Sequence, residues 1–250
     1  MRYPAPLRPG DRIGVTAPSA GVDDGLRARL DVAIRTVEAR GYEVVVGSCM
    51  DGAGHVSAPA AERARELMDL LTDPTVKAVV PPWGGQTAID LLPLLDWDAL
   101  RAAEPTWVVG FSDMSTIITP LTLLTGVATV HGNNLMDTPY RAPEGLLTWL
   151  DIVTMAPGTT FTQVPPNRHR AQGWDDYRTA PEVNEFTLDA PGTAGLTQHE
   201  AVLDALGGLG VPIVADVECG HVPPYLPIVN GARGRLVCTA DRNELTQTLG

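Results

Sequence analysis

The sequence predicts an α/β protein: an N-terminal, doubly wound, mostly parallel sheet flanked by helices, followed by a small, truncated C-terminal α/β domain. Three observations carry this expectation. Short β-branched runs alternate with helical periodicity through the first half of the chain. The periodicity dissolves between about Ala156 and Thr187, where Pro, Arg, Asn, Trp and Asp crowd together. Helix and strand signals then resume. The expected organisation is a nucleophile-bearing domain over residues 1–155, an irregular linker over 156–187 and a truncated domain over 188–250 that carries a histidine motif.

Asp11-Arg-Ile-Gly-Val-Thr-Ala17 reads as the first strand and Pro18-Ser-Ala-Gly21 as the turn at its carboxyl end. Leu26, Leu30, Ala33, Ile34 and Val37 then recur at helical spacing, and Gly41 stands where a helix-ending glycine belongs. Val44-Val-Val46 is the second strand. The unit repeats: Pro59 starts a helix with Ala64, Leu67, Met68 and Leu71 on one face, Asp73-Pro74 closes it, and Val76 to Val80 forms the third strand. Pro81 to Gly85 makes a loop and Thr87 to Leu95 a leucine-rich helix. Trp107-Val-Val-Gly110 is the fourth strand. Met114 to Leu124 has helical spacing, with Pro120 expected to kink it or mark a restart. In the last block a helix is expected from Thr197 to Leu206, a glycine-rich turn over Gly207 to Gly210, and strands at Ile213 to Val217 and Leu236 to Thr239.

Composition narrows the function. With 250 residues, 44% of them apolar and 19% charged, the chain can bury a real core. A net charge of −12, with Lys77 the only lysine, argues against nucleic acid, because phosphate binding needs clustered cations. Cys49, Cys219 and Cys238 are odd in number and widely spaced, and they read as reduced thiols. No run approaches the ~18 apolar residues of a membrane helix, and Met1 to Gly14 has no apolar stretch after its basic residues, so a cytoplasmic location is expected. No two histidines have metal-ligand spacing, and no metal site or cofactor is expected.

Three segments could carry chemistry. Val108-Val-Gly-Phe-Ser-Asp-Met114 delivers Ser112 from a buried strand to the turn before a helix, where ligands of open α/β sheets bind. It begins like G-x-S-x-G, with Met114 in place of the second glycine. A serine there can attack an acyl carbon while helix N–H groups face the oxyanion; alternatively, Ser112 or Asp113 caps the helix. Val80-Pro-Pro-Trp-Gly-Gly-Gln86 places Gly84 and Gly85 after another strand, as close-approaching backbone or as a tight turn. Asp216-Val-Glu-Cys-Gly-His-Val-Pro-Pro224 puts His221 in a proline-stiffened loop, as a general base or as a structural histidine.

Together, Trp83-Gly-Gly85, Val109-Gly-Phe-Ser-Asp-Met114 and Asp216-Val-Glu-Cys-Gly-His221 resemble the oxyanion-loop, nucleophile and histidine motifs of LD-carboxypeptidases and microcin C self-immunity proteins. Asp11-Arg-Ile-Gly-Val-Thr-Ala-Pro-Ser19 and Val130-His-Gly-Asn-Asn-Leu-Met136 are similar to the family's opening strand and HGP-type block, and Trp174-Asp-Asp-Tyr177 leans toward the self-immunity branch. The resemblance implies Ser112 as nucleophile, His221 as general base and the backbone of Gly84, Gly85 and Asp113 as oxyanion and substrate-binding groups. It implies a serine hydrolase that cleaves an amide in murein-type L,D-peptides or microcin C-like peptidyl or aminoacyl nucleotides, with no cofactor. The expected partner is therefore a small peptide or peptidyl nucleotide, with a homodimer as the family's common assembly. The chain departs from the family in one respect. A glycine-rich G-G-C/N-L/I-E-type block and the strand bearing the glutamate that orients the histidine are missing. Thr187-Leu-Asp-Ala-Pro-Gly-Thr-Ala-Gly195 runs directly into Leu196-Thr-Gln-His-Glu200, which is similar to the family's final helix. This reads as an internal deletion with a junction near Ala190, and the alternative expectation is a catalytically impaired or inactive binding homologue.

Overall fold

The computed structural model describes residues 1–137, 142, 144–164, 168–169, 177–182, 190–191, 208, 210, 226–239 and 241–250. The helix expected over 197–206, the strand over 213–217 and the whole histidine block with His221 lie outside these residues.

Five parallel strands form the centre: β1 (Arg12–Val15), β2 (Glu43–Val46), β3 (Val76–Val80), β4 (Trp107–Gly110) and β5 (Thr129–His131). Two short strands, β7 (Arg168–His169) and β8 (Ala190–Pro191), pair with each other, and β9 (Ile228–Asn230) adds antiparallel to β5. The main sheet therefore runs β2-β1-β3-β4-β5-β9. Between these strands lie α1 (Arg27–Glu38), α2 (Ala60–Thr72), α3 (Trp97–Ala102) and α4 (Ser115–Thr125), with α5 (Trp149–Val153) after β5. A second, antiparallel sheet has the order β10-β11-β6, from β6 (Thr160–Gln163), β10 (Arg233–Cys238) and β11 (Asn243–Thr248).

Helices cover both faces of the main sheet, so its strands are apolar on both sides. Ile13, Val15, Ala78, Val80 and Val109 pack toward α1 and α5, with Leu30, Ala33, Val37 and Ile152 in the same cluster. Val76, Val79 and Val108 face α2, α3 and α4 through Leu67, Leu71, Leu100, Ile117 and Leu121. Helix ends follow local chemistry. Asp96 accepts from the N–H groups of Asp98 and Ala99 to start α3, and Thr148 and Asp151 form a reciprocal capping box on α5. Gly126, at φ +71°, ends α4 in the left-handed conformation that glycine adopts at low cost.

The structure differs from the sequence expectation in several elements. Ala88–Leu94 winds as a 3-10 helix with Pro93 inside it. Pro120 sits within an unbroken α4, where it removes only the N–H that would have reached back one turn. The stretch expected to be irregular over 156–187 contributes β6, whose exposed–buried alternation is too short to register as a period. That strand pairs with β11, residues distant in sequence, so no local signal marks it.

Candidate active site

The carboxyl ends of β1, β3, β4 and β5 bring four segments around one cavity of about 350 Å3, lined by Ala20, Trp83, Gly84, Gly85, Phe111, Ser112, Asn134 and Asp137. In the order β2-β1-β3-β4-β5 the chain reverses direction across the sheet beside β1, which is where a crevice opens in such folds.

Ser112 has φ +58° and is the only non-glycine residue with positive φ among the described residues. A side chain in this region costs on the order of 1 kcal/mol and persists only where its surroundings over-determine it. Here the cause is visible. Phe111 is still extended, at φ −145°, and its N–H donates to Asn134 Oδ1 at 3.3 Å, while Met114 N–H already closes the first helical turn onto Phe111. The chain must reverse within one residue. Gly110 permits it, because a Cβ there would stand 2.8 Å from that of the fully buried Met114. Met114 occupies the second-glycine position of the nucleophile turn as a core residue. No side-chain cap bond holds this turn or α4.

Gly84 lies against the serine. A Cβ at Gly84 would fall 3.1 Å from Ser112 Cβ, 3.3 Å from its Oγ and 3.4 Å from Asp113 N. The Gly84 carbonyl accepts from Ala20 N–H at 3.2 Å, so the N–H of Gly85, in the same planar peptide, points away from Ala20. Neither Gly85 N–H nor Asp113 N–H has an acceptor among the described residues. For Asp113 this follows from its place in a first helical turn, where amides lack intrahelical partners.

A polar tie beneath these groups locks the two loops together. Ser19 Oγ donates to Asp113 Oδ2 at 2.6 Å and accepts from the N–H groups of Gln86 and Thr87, each at 3.0 Å. The same carboxylate oxygen accepts from Ala88 N–H at 2.8 Å, so Asp113 caps the neighbouring 3-10 helix rather than its own. Arg63, buried on α2, donates to the carbonyls of Ala58, Pro18 and Thr87 at 2.8, 2.5 and 3.1 Å.

The far wall is built on β5 and α1. Asn134 Nδ2 donates to Asp137 Oδ2 at 3.1 Å, which turns its Oδ1 toward Phe111 N–H. Asp137 is 4% exposed, and burial pushes its carboxyl up to about 7, against the Asn134 hydrogen bond and the Arg29 charge, which act to lower it. Arg29 donates through Nε and NH2 to the Met136 carbonyl at 3.0 and 2.8 Å and through NH1 to the Pro181 carbonyl at 3.0 Å. Its guanidinium sits 4.0 Å from the ring centroid of Tyr177, which stacks on Trp83 at 6.1 Å. Among the described residues no group of His, Cys, Asp and Glu side chains could hold a metal ion.

Of the residues expected to carry chemistry, Gly84, Gly85, Ser112 and Asp113 meet at this cavity, whereas His221 lies outside the described residues. The LD-carboxypeptidase N-terminal domain model matches residues 13–132, which hold all four. A Streptomyces coelicolor relative bearing a carboxypeptidase name is 31% identical over 253 aligned positions, covering 97% of this chain and 68% of that protein. The chain belongs to the LD-carboxypeptidase family. A Vibrio cholerae relative with a carboxypeptidase name is 34% identical over 158 positions, 61% of this chain, and the match spans 47% of that protein's length, about half. The solved MccF-like protein of Bacillus anthracis shares the fold, with a TM-score of 0.81 at 17% identity and full coverage of both chains. The fold of this LD-carboxypeptidase relative, a mostly parallel helix-flanked sheet with a small antiparallel one, is therefore that of MccF-like structures.

Sequence reasoning missed Ser19, Asn134, Asp137 and Arg29 as site residues. Two of these left a trace. Asn134 directly follows a strand end, and Arg29 stands at i with Ala33 and Val37 at i+4 and i+8, on the buried stripe of α1. Arg63 repeats that placement on α2 with Leu67 and Leu71.

Proposed function

We propose that this chain is a serine hydrolase that cleaves an amide bond next to a D-amino acid in murein-type L,D-peptides, or the corresponding bond of microcin C-like peptidyl or aminoacyl nucleotides. The observation that carries this reading is Ser112 at positive φ on the cavity wall, flanked by the N–H groups of Gly85 and Asp113, which have no acceptor among the described residues. Ser112 Oγ attacks the amide carbonyl, and the resulting oxyanion accepts from these two N–H groups. His221 takes the serine proton and returns it to the leaving amine, giving an acyl-enzyme. Water, deprotonated by His221, then attacks the acyl carbon, and the serine leaves with the proton. Both donors sit on loops tied by Ser19 and Asp113, so little reorganisation accompanies charge development.

Incubation of the purified protein with an L,D-linked dipeptide and with an aminoacyl sulfamoyl adenylate tests the proposal. One of them is hydrolysed, and Ser112→Ala abolishes the turnover; equal turnover by the variant overturns the mechanism. The absence of the family's glutamate-bearing block between Thr187 and Leu196 favours a second reading, a binding homologue without turnover. Loss of the orienting acid from such a triad costs about 10⁴ in kcat. Calorimetric binding of the same compounds without product formation would select that reading.

A further inference from the structure

We infer that Ser19 is a positioning residue of this site: without touching the ligand, it sets the two oxyanion donors, Gly85 N–H and Asp113 N–H, at a fixed separation on either side of Ser112. The inference deepens the proposed hydrolysis and rests on that reading for the identity of the donors. Ser19 is fully buried, and the residue of its loop that lines the cavity is Ala20. A serine hydroxyl has one proton to give and two lone pairs. Here all three are engaged inside the protein: Oγ donates to Asp113 Oδ2 at 2.6 Å and accepts from the N–H groups of Gln86 and Thr87, each at 3.0 Å. The hydroxyl therefore acts on the two loops and not on a ligand.

Both donor residues lie one short step from that oxygen. Gln86 N–H belongs to the peptide directly after Gly85, and Gly85 packs so close that a Cβ there would stand 2.2 Å from Ser19 Oγ. On the other side the bond is made to the side chain of Asp113 itself, whose Oδ2 also accepts from Ala88 N–H at 2.8 Å. The next residue fixes direction as well as distance. Ala20 N–H donates to the Gly84 carbonyl at 3.2 Å, which turns the Gly85 N–H of the same planar peptide the opposite way. Arg63 braces the frame from α2, its NH1 donating to the carbonyls of Pro18 at 2.5 Å and Thr87 at 3.1 Å. An oxyanion hole works through donors held where charge develops, and a misplacement of about 1 Å costs on the order of a hundredfold in rate. Removing the Ser19 hydroxyl releases Gln86, Thr87 and the Asp113 carboxylate together, so the loss falls on the transition state and not on the ground-state complex.

Steady-state kinetics of Ser19→Ala test this on whichever of the L,D-linked dipeptide and the aminoacyl sulfamoyl adenylate the unmodified protein hydrolyses. We expect kcat to fall about a hundredfold with KM held within about twofold, because the lost interaction is made only in the transition state. Thr122→Val serves as the control for stability: it removes a buried hydroxyl contact of 2.9 Å with Thr129, at the end of α4 away from Ser112. It should destabilise the fold and keep kcat within about twofold. A second readout needs no turnover. Phenylboronic acid takes the Ser112 oxygen onto boron, the serine proton passing to solvent, and the tetrahedral anion places a boron hydroxyl where the oxyanion lies. Boron-11 NMR should find this adduct at least about tenfold weaker in Ser19→Ala. An unchanged kcat in Ser19→Ala, a rise in KM without loss of kcat, an equal loss in Thr122→Val, or an adduct of equal strength in both proteins overturns the positioning role. Should Ser19→Ala not fold, Ser19→Cys, which loosens the same tie through weaker and longer bonds, is read in its place. Where the unmodified protein turns over neither compound, the hydrolase reading fails and a weakened adduct leaves the positioning role standing; absence of the adduct as well overturns both.

Discussion

Ser19 Oγ stands 2.6 Å from Asp113 Oδ2, and this contact joins the loop after β1 to the turn that carries Ser112. Because the same hydroxyl accepts from Gln86 and Thr87 N–H, three strand ends share one oxygen. Ser19 is fully buried. Ser19→Ala leaves two amides and a carboxylate short of a partner at once, and it should lower stability by about 1–3 kcal/mol. Urea unfolding of the variant at neutral pH measures this, and an unchanged midpoint would remove the tie from the account.

The left-handed backbone at Ser112 predicts an ordering of two inactive variants. Glycine adopts φ +58° without penalty, whereas alanine keeps the Cβ that makes the conformation costly. Ser112→Gly should therefore be more stable than Ser112→Ala by about 1 kcal/mol. Thermal unfolding compared side by side reads the difference, and equal or reversed midpoints would show that the turn is relaxed.

The two loop glycines should fail in different ways. A methyl at Gly84 falls over Ser112 Oγ and Asp113 N, at contacts of 3.3 and 3.4 Å that the fold can absorb but an oxyanion cannot share. Gly84→Ala should fold normally and lose about a hundredfold in kcat/KM toward the L,D-peptide. At Gly85 the added atom would meet Ser19 Oγ at 2.2 Å and Ala20 N at 2.8 Å, on a residue with φ +149°. Gly85→Ala should destabilise by about 2 kcal/mol or more. Circular-dichroism melts paired with kinetics separate the two cases.

Asp137 makes stability depend on pH with a definite sign. Its folded-state carboxyl titrates near 7, while an unfolded one titrates near ~3.9. Below the lower value both states are protonated and the group costs nothing. Between the two, only the unfolded chain releases the proton, so stability falls as pH rises, by up to about 4 kcal/mol in all, and is flat above 7. Asp137→Asn should remove this slope. Denaturant unfolding at pH 5 and pH 8 should show the variant gaining on the unmodified protein at the higher pH, and parallel behaviour would contradict the burial.

How far each feature was legible in the sequence follows from the range of the forces that set it. The parallel units were legible because each declares itself locally: Val76 to Val80 is valine-rich and apolar but for Lys77, and Leu67 and Leu71 repeat one helical turn apart. β6 and β11 were not, since each is half-buried and short, and they meet only after the intervening chain has folded back. The 3-10 winding of Ala88–Leu94 is likewise tertiary, because Asp113 holds its first amide from another loop.

By itself, the sequence determined the parallel helix-flanked core and the placing of Ser112, Gly84 and Gly85 at strand ends, because alternating apolar periods and glycine positions are local properties of the chain. Tertiary structure alone decided that these strand ends converge, that Ser112 is held at positive φ, and that Asp137 is buried on the same cavity with Asn134 donating to it. The physical reason is that strain and desolvation belong to no residue in isolation. They arise only where groups far apart in the chain, such as Ser19 with Asp113 or Arg29 with Met136, are forced into contact and must satisfy one another out of reach of water.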